Sequence, residues 1–191
     1  MTKNGTKNIY SEIAMEERLF EAFRDAATTR KFRKNEIITE QNKVEKYLSY
    51  IESGSTAIIY TNEHGKKICF DLNYEGEYVS SYASFVTKTP SMHYVIALEN
   101  TIILSIDFDT LENLYNTSKA FERMGRLAVE SALLYKENRF LSVLVKSAEE
   151  RYMELIEKTP DVLKRTPQKY IASYLGITPE SLSRIRKTLS S

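Results

Sequence analysis

The stretch Thr166-Pro-Gln-Lys-Tyr-Ile-Ala-Ser-Tyr-Leu-Gly-Ile-Thr-Pro-Glu-Ser-Leu-Ser-Arg-Ile-Arg-Lys187 carries two helix start signals with a glycine between them. Each signal is a threonine that can cap a helix, followed by a proline. Proline already has the backbone angle of the first helical position and has no amide hydrogen to satisfy. Gly176 supplies the positive φ that a sharp exit from the first helix needs. The spacing predicts a helix-turn-helix near the end of the chain.

The second predicted helix has an apolar and a polar face. We expect Leu182, Ile185 and Leu189, which recur at helical spacing, to pack inward. The polar face suits DNA, because arginine can bond guanine, glutamate can accept from cytosine, and serine and lysine can reach phosphates. The residues predicted to bind DNA are Glu180, Ser183, Arg184, Lys187, Thr178 and Lys169.

A solvated helix face with an ordinary Glu180–Arg184 ion pair is the alternative interpretation of that surface. The distribution of charge favours DNA. Residues 160–191 contain six basic and two acidic side chains, whereas the whole chain has a net charge of only +1. A basic end on a mildly acidic body is typical of a nucleic-acid-binding module attached to another domain.

The segment from about residue 30 to residue 107 has the composition of short β-strands, rich in β-branched and aromatic residues. Gly54, Gly65 and Gly76 recur every eleven residues between strand-like runs, which indicates regular turns. We therefore predict an antiparallel β-roll of about eight strands. A short amphipathic helix is expected before it, from Met15 to Thr28. The predicted strand runs are Glu36–Thr39, Tyr47–Ile51, Ala57–Tyr60, Lys67–Phe70 and Thr101–Ile106.

From Asp109 to about Lys146 the helical period returns, and two lines of residues seven apart form a stripe. Such a stripe suits a helix that pairs with its own copy; packing on the β-roll is the alternative. The predicted dimer residues are Met124, Leu127, Ser131, Leu134, Asn138 and Leu141. The predicted fold class is α+β, with a jelly-roll-like domain and N-terminal helix (1–108), a dimerisation helix (109–146) and a helix-turn-helix DNA-binding domain (147–191).

Several function classes are disfavoured by composition. Cys69 is the only cysteine, and His64 and His93 have no second ligand at a useful spacing, so we expect no metal, no cofactor and no enzymatic activity. Apolar residues make up 42% of the chain, but no apolar run is long enough to cross a membrane. No secretory signal precedes the body of the chain. We expect a soluble cytoplasmic protein with no membrane partner.

In its order of β-roll, long helix and helix-turn-helix, the chain resembles the Crp–Fnr superfamily of bacterial transcription regulators. The pattern Glu180-x-x-Ser183-Arg184 is similar to the recognition helix of Fnr-like members, and residues 175–186 resemble the short version found in Bacteroidetes. The resemblance implies a homodimer that reads a near-palindromic site in double-stranded DNA and contacts RNA polymerase.

The chain departs from the family in three ways. Gly76-Glu77 matches the start of the cyclic-nucleotide cassette, but the later segment Thr89-Pro-Ser-Met92 lacks its phosphate-binding arginine. Lys88 is a flexible substitute, so we do not expect cyclic AMP to bind. The cysteine cluster of Fnr is absent. The sequence ends at Ser191, without the usual wing after the recognition helix, which predicts weaker DNA binding.

Two interpretations of the β-roll stay open. Either the roll contains a pocket for a small ligand other than cyclic AMP, or its pocket has closed. The predicted pocket residues are Gly76, Glu77, Tyr78, Ser84, Phe85, Lys88 and Ser91. The predicted function is a sequence-specific DNA-binding regulator that such a ligand modulates. The alternative is a ligand-binding signalling module that acts through protein contacts and keeps a vestigial DNA-binding domain.

Overall fold

The computed structural model describes residues 17–189, which contain eight strands and eight helices. The strands are β1 (Thr28–Phe32), β2 (Ile37–Thr39), β3 (Tyr47–Ser53), β4 (Thr56–Thr61), β5 (Lys67–Asn73), β6 (Tyr78–Val79), β7 (Tyr94–Ala97) and β8 (Thr101–Asp107). The helices are α1 (Glu17–Ala26), α2 (Tyr82–Thr87), α3 (Phe108–Thr117), α4 (Lys119–Val145), α5 (Ala148–Lys158), α6 (Val162–Arg165), α7 (Gln168–Tyr174) and α8 (Pro179–Leu189).

The strands form two four-stranded antiparallel sheets, in the orders β1-β8-β3-β6 and β2-β7-β4-β5. Alternate side chains point between the sheets. They form a core that includes Ile51, Ile58, Val79, Val95 and Ile103. This arrangement confirms the predicted antiparallel β-roll.

Four of the five predicted strand runs lie within strands of the structure, and the fifth begins at Glu36, one residue before β2. Strands β1, β6 and β7 were not predicted. Residues 28–32 of β1 include Arg30 and Lys31, and charged side chains are frequent on edge strands. Thr28 belongs to this strand and pairs with Ser105, so the predicted helix ends too late. Helix α1 ends at Ala26, and the predicted start at Met15 lies outside the described residues.

The long helix is interrupted, which corrects the continuous helix predicted from Asp109 to Lys146. Ser118 has extended backbone angles of φ −148° and ψ 114° and ends α3. Its hydroxyl accepts a hydrogen bond from the Phe121 amide at 3.4 Å and caps α4. Serine favours caps over helix interiors because its hydroxyl competes for backbone amides. Periodicity alone does not show such a break.

A second core joins the β-roll to the C-terminal helices. Buried side chains of sheet residues Ile59 and Leu72 belong to the same cluster as Ile171, Leu175 and Leu182 of the last two helices and their connection. Helix α7 lies along β5, the edge strand of its sheet. The two C-terminal helices are therefore packed onto the roll rather than tethered to it.

Two turn glycines allow a test of the roll. Gly54 and Gly65 both have positive φ, 96° and 74°, so alanine at either position is strained by about 1–2 kcal/mol. At Gly54 a new Cβ would also lie 2.5 Å from the Thr101 hydroxyl and 2.7 Å from the Asn100 carbonyl, whereas at Gly65 it meets nothing within 4 Å. We expect Gly54→Ala to lower the free energy of unfolding by about 1–3 kcal/mol more than Gly65→Ala.

Urea denaturation, monitored by circular dichroism, measures the free energy of unfolding of both variants. The Gly65→Ala variant is the control, because it isolates the backbone strain from the steric clash. Equal losses for the two variants would contradict the close approach of the Gly54 turn to residues 100–101.

Candidate nucleic-acid interface

Helices α7 and α8 are joined by a turn whose geometry agrees with the predicted exit at Gly176. Gly176 has φ +70°, its amide donates to the Ser173 carbonyl at 3.0 Å, and the Ile177 amide donates to the Ala172 carbonyl at 2.9 Å. These two bonds form a Schellman motif, which satisfies carbonyls that the end of a helix leaves unpaired. The turn gives the two helices the order and spacing predicted for a helix-turn-helix.

Of the two predicted threonine caps, one is present and one is wrong. The Thr178 hydroxyl accepts from the Ser181 amide at 3.2 Å at the start of α8. Thr166 instead is buried and shares a hydrogen bond with the Tyr74 hydroxyl at 2.8 Å. No side chain caps α7, which begins after Pro167. The Thr166 hydroxyl joins the C-terminal region to the roll rather than capping a helix.

The apolar face of α8 is anchored in the shared core. Leu182 is fully buried and Ile185 packs against the same cluster, as predicted. Leu189 is 42% exposed, so its predicted inward position is wrong. It lies at the last residue of the helix, beyond the end of the core.

The opposite face of α8 is open to solvent. All six residues predicted to bind DNA are exposed, and four of them lie along this face of the helix. The Arg184 guanidinium donates to the Ser181 hydroxyl at 3.1 Å, which engages one of its five N–H groups. Lys169 lies on the neighbouring helix, with its ammonium 4.9 Å from the Tyr170 ring centroid. Their contact with DNA stays a prediction.

Glu180 is placed to remain ionised. Its own backbone amide, the Thr178 hydroxyl and the charge of Arg184 hold the pKa of this carboxyl below its usual range, as is usual for an acid in the first turn of a helix. An ionised carboxylate is purely a hydrogen-bond acceptor. At neutral pH it therefore suits a donor such as a cytosine amino group.

An ion-pair cluster fixes the C-terminal helices to two turns of the roll. The Arg165 guanidinium donates to both carboxylate oxygens of Glu75, at 2.9 and 2.6 Å, and to Glu99 at 3.0 Å. Burial raises the pKa of Glu75, but the bonds from Arg165 together with those from the Glu75 and Gly54 amides hold this pKa below its usual range. Bidentate pairs of this kind are directional as well as strong. Sequence reasoning missed this cluster, because Arg165 lies 66 residues from Glu99 and 90 residues from Glu75 along the chain.

A buried polar network links β5, α4 and α7. The Tyr135 hydroxyl donates to Asp71 at 2.9 Å and lies 3.1 Å from the Tyr174 hydroxyl, and the Cys69 amide donates to the Ser173 hydroxyl at 2.8 Å. Burial raises the pKa of Asp71 and, together with the charge of Asp71, raises the pKa of the Cys69 thiol to about 12. Cys69 is thus a buried thiol of low reactivity.

The predicted pocket residues are largely occupied by contacts within the protein. The Glu77 carboxylate accepts from the Tyr74 amide at 3.1 Å and pairs with Lys158 at 3.5 Å. Tyr78 packs edge to face against Phe23 and Tyr50. Gly76 donates its amide to the Ile51 carbonyl at 3.0 Å.

The other predicted pocket residues are also occupied by contacts within the protein. Phe85 is fully buried in a core cluster, and the ammonium of Lys88 lies 3.7 Å from the ring centroid of Phe108. The Ser84 hydroxyl accepts from the Glu45 amide at 2.9 Å, and Ser91 donates to Ser81 at 2.7 Å. These contacts favour the interpretation of a closed roll, and a ligand at these residues stays a prediction.

The predicted dimer residues are divided between the two sides of α4. Met124 packs against the core beneath the helix, Leu127 and Ser131 are half-buried, and Leu134, Asn138 and Leu141 are exposed. Sequence reasoning missed Leu133, Phe140 and Leu144, whose side chains are 66%, 65% and 64% exposed. The signal was available, because Leu133 and Phe140 are seven residues apart.

Residues 17–189 contain no cluster of three histidine, cysteine or acidic side chains that could hold a metal ion. Within the same range, no helix is long and apolar enough to span a membrane.

Comparisons with known proteins extend the observations on the fold. Residues 29–118 match the family model of the cyclic nucleotide-binding domain. No curated protein sequence matches this chain significantly. FixK2 from Bradyrhizobium japonicum is 17% identical over 86% of this chain and 84% of its own, with a TM-score of 0.73.

Two further solved structures share the fold. The Xanthomonas campestris regulator CLP, described as c-di-GMP responsive, is 16% identical over 92% of each chain, with a TM-score of 0.69. The Thermus thermophilus catabolite activator protein is 18% identical over 95% of this chain and 86% of its own, with a TM-score of 0.58. At these identities the likeness shows a common fold.

Asp71 provides a test of the buried network. Its raised pKa means that the unfolded chain releases this proton at a lower pH than the folded chain does. The ionised carboxylate therefore lowers the free energy of unfolding as the pH rises above 3.8, its ordinary pKa. Asp71→Asn keeps an acceptor for Tyr135 without the charge. We expect it to be more stable than the parent protein at pH 7 and equally stable below pH 3.8.

Thermal or urea unfolding at the two pH values measures this difference. Asp25→Asn is the control, since Asp25 is exposed and its substitution should change stability little at either pH. A loss of stability for Asp71→Asn at pH 7 would show that the carboxylate is stabilising where it lies.

Proposed function

We propose that this protein is a homodimeric, sequence-specific DNA-binding transcription regulator of the Crp–Fnr type, a proposal that the matched domain and the shared fold support. The observation that supports it best is the division of α8 into a buried and an open face. Leu182 fixes the helix to the body, while Arg184 and its neighbours project outward.

The proposal assigns different tasks to the residues of that face. Arg184 reads a guanine through a bidentate bond, and Glu180, near the start of the helix, accepts from a cytosine amino group. Ser183, Thr178, Lys169 and Lys187 bond to base edges or phosphates and set the position of the helix on the duplex. No side chain in this assignment needs to be released from the core first, because all six are exposed.

Dimerisation through α4 is the second part of the proposal. Leu133, Phe140 and Leu144 form an apolar surface on α4 that is not buried against the rest of the chain. An exposed apolar surface on a long helix favours association with a second copy. Leu134 and Leu141 continue the surface on one side. A two-fold dimer would place two recognition helices about 34–36 Å apart on a near-palindromic site.

Three finer points of the proposal rest on the resemblance and on single contacts. Contact with RNA polymerase and action in the cytoplasm follow from the resemblance alone. Cyclic AMP is not the expected effector, because Lys88 lies over the Phe108 ring and no arginine follows at the cassette position. Random-site selection with the purified protein tests the function itself; recovery of no enriched sequence would favour the signalling-module alternative.

Substitutions on α8 separate base reading from phosphate binding. We expect Arg184→Ala to weaken binding to the selected site by about 1–3 kcal/mol and to change binding to random DNA much less. Lys187→Ala should weaken both and reduce the slope of log K against log salt by about one. Fluorescence anisotropy at several salt concentrations measures these values. Equal effects of Arg184→Ala on both DNAs would contradict a base contact.

A charge on the exposed face of α4 tests the dimer. We expect Phe140→Glu and Leu144→Glu to convert a dimer into monomers, since a buried unpaired carboxylate costs several kcal/mol. Val86→Glu is the matched control, because Val86 is also an exposed apolar residue on a helix, but on the roll. Sedimentation velocity measures the mass of each variant. A dimer that survives both substitutions must use another surface.

A further inference from the structure

A basic groove lies where the second half of α4 meets α5 and the end of α7. Its volume is about 180 Å³, smaller than the pockets that hold drug-sized ligands. Polar and charged side chains form much of its wall, and Glu154 is the only acid among them. The cations that line it are Arg139, Lys146, Arg151 and Lys158.

Backbone carbonyls already hold the two guanidinium groups in place. Arg151 donates to the Leu175 carbonyl at 2.8 and 3.2 Å and also to the Lys146 carbonyl. Arg139 donates to the Tyr174 carbonyl and stacks on the Tyr174 ring, with its guanidinium carbon 3.5 Å from the ring centroid. Groups that are ordered before binding lose little conformational entropy when a ligand arrives.

The hydrogen-bonding capacity of these cations is only partly used. The Nε atom of Arg139 is buried and has no hydrogen-bond partner among the described residues. Such donors are rare, because nearly all buried polar groups are paired with protein, water or ligand. Lys146 pairs with Glu154, and Lys158 reaches the Glu77 carboxylate at 3.5 Å. Two carboxylates are therefore paired with the four cations of the groove.

We propose that this groove binds a small, multiply charged oxyanion, of about the size of pyrophosphate. The four cations outnumber the two carboxylates that pair with them, Glu154 and Glu77, and guanidinium groups match the geometry of phosphate oxygens. Asn138 and Ser142 add neutral polar groups to the same wall. The site does not overlap the exposed face of α8, and its occupation does not require DNA binding.

Calorimetric titration of the full chain with sodium pyrophosphate at constant ionic strength tests the proposal. We expect saturable binding of one pyrophosphate per chain. The double variant Lys146→Gln/Lys158→Gln should weaken it by about tenfold or more, because two of the four cations are lost. Glu154→Gln should tighten it several-fold, because it removes the carboxylate that pairs with Lys146. This second variant moves in the opposite direction, so a folding defect cannot imitate it.

Two controls distinguish the groove from other cations of the chain. Lys66→Gln/Lys119→Gln removes two exposed lysines outside the groove and should leave the affinity unchanged. Lys187→Ala should also leave it unchanged, whereas a large loss there would place pyrophosphate on α8. Absence of saturable binding, or losses in either control as large as in the groove variant, would overturn the proposal.

Discussion

The open face of α8 depends on the apolar contact between the last two helices and the β-roll. Helices of seven and eleven residues are too short to be stable alone, and together they enclose little apolar surface. Ile171, Leu175 and Leu182 are completed by sheet residues such as Leu72, and full burial contributes about 1.5–3 kcal/mol for each side chain. The roll therefore supplies part of the core on which these two helices depend.

The polar contacts around this core determine orientation more than stability. Helix α7 covers the open edge of β5, where the Ser173 hydroxyl takes the hydrogen bond that the Cys69 amide would otherwise offer to solvent or to another strand. The bonds of Arg165 to Glu75 and Glu99 fix the rotation about that contact. Apolar surfaces can slide, whereas bidentate ion pairs cannot without breaking.

Structural features set by residues a few positions apart were well predicted from the sequence, whereas contacts between distant residues were not. The turn at Gly176, the cap at Thr178 and the strands between the turn glycines depend on residues a few positions apart. Thr166 carries the same local signal as Thr178, but the distant Tyr74 takes its hydroxyl. The predicted stripe of α4 includes both Met124, which packs against the core, and the exposed Leu134 and Leu141, because heptad spacing does not say which side the roll covers. The inward positions of Leu182 and Ile185 followed from helical spacing, whereas the Arg165 ion pairs join residues too far apart for any local pattern to show.

The turn between β5 and β6 connects the predicted pocket with the C-terminal helices. Glu77, a residue of the predicted cassette, pairs with Lys158 of α5, and Glu75 in the same turn holds Arg165. Coupling between two sites needs an element whose position both of them influence. A ligand that draws Glu77 into the roll must give up the Lys158 pair. Breaking that pair would act on the anchor of α8 through the turn that also holds Glu75, and on α4 through Tyr135, whose ring centroid lies 4.6 Å from the Lys158 ammonium.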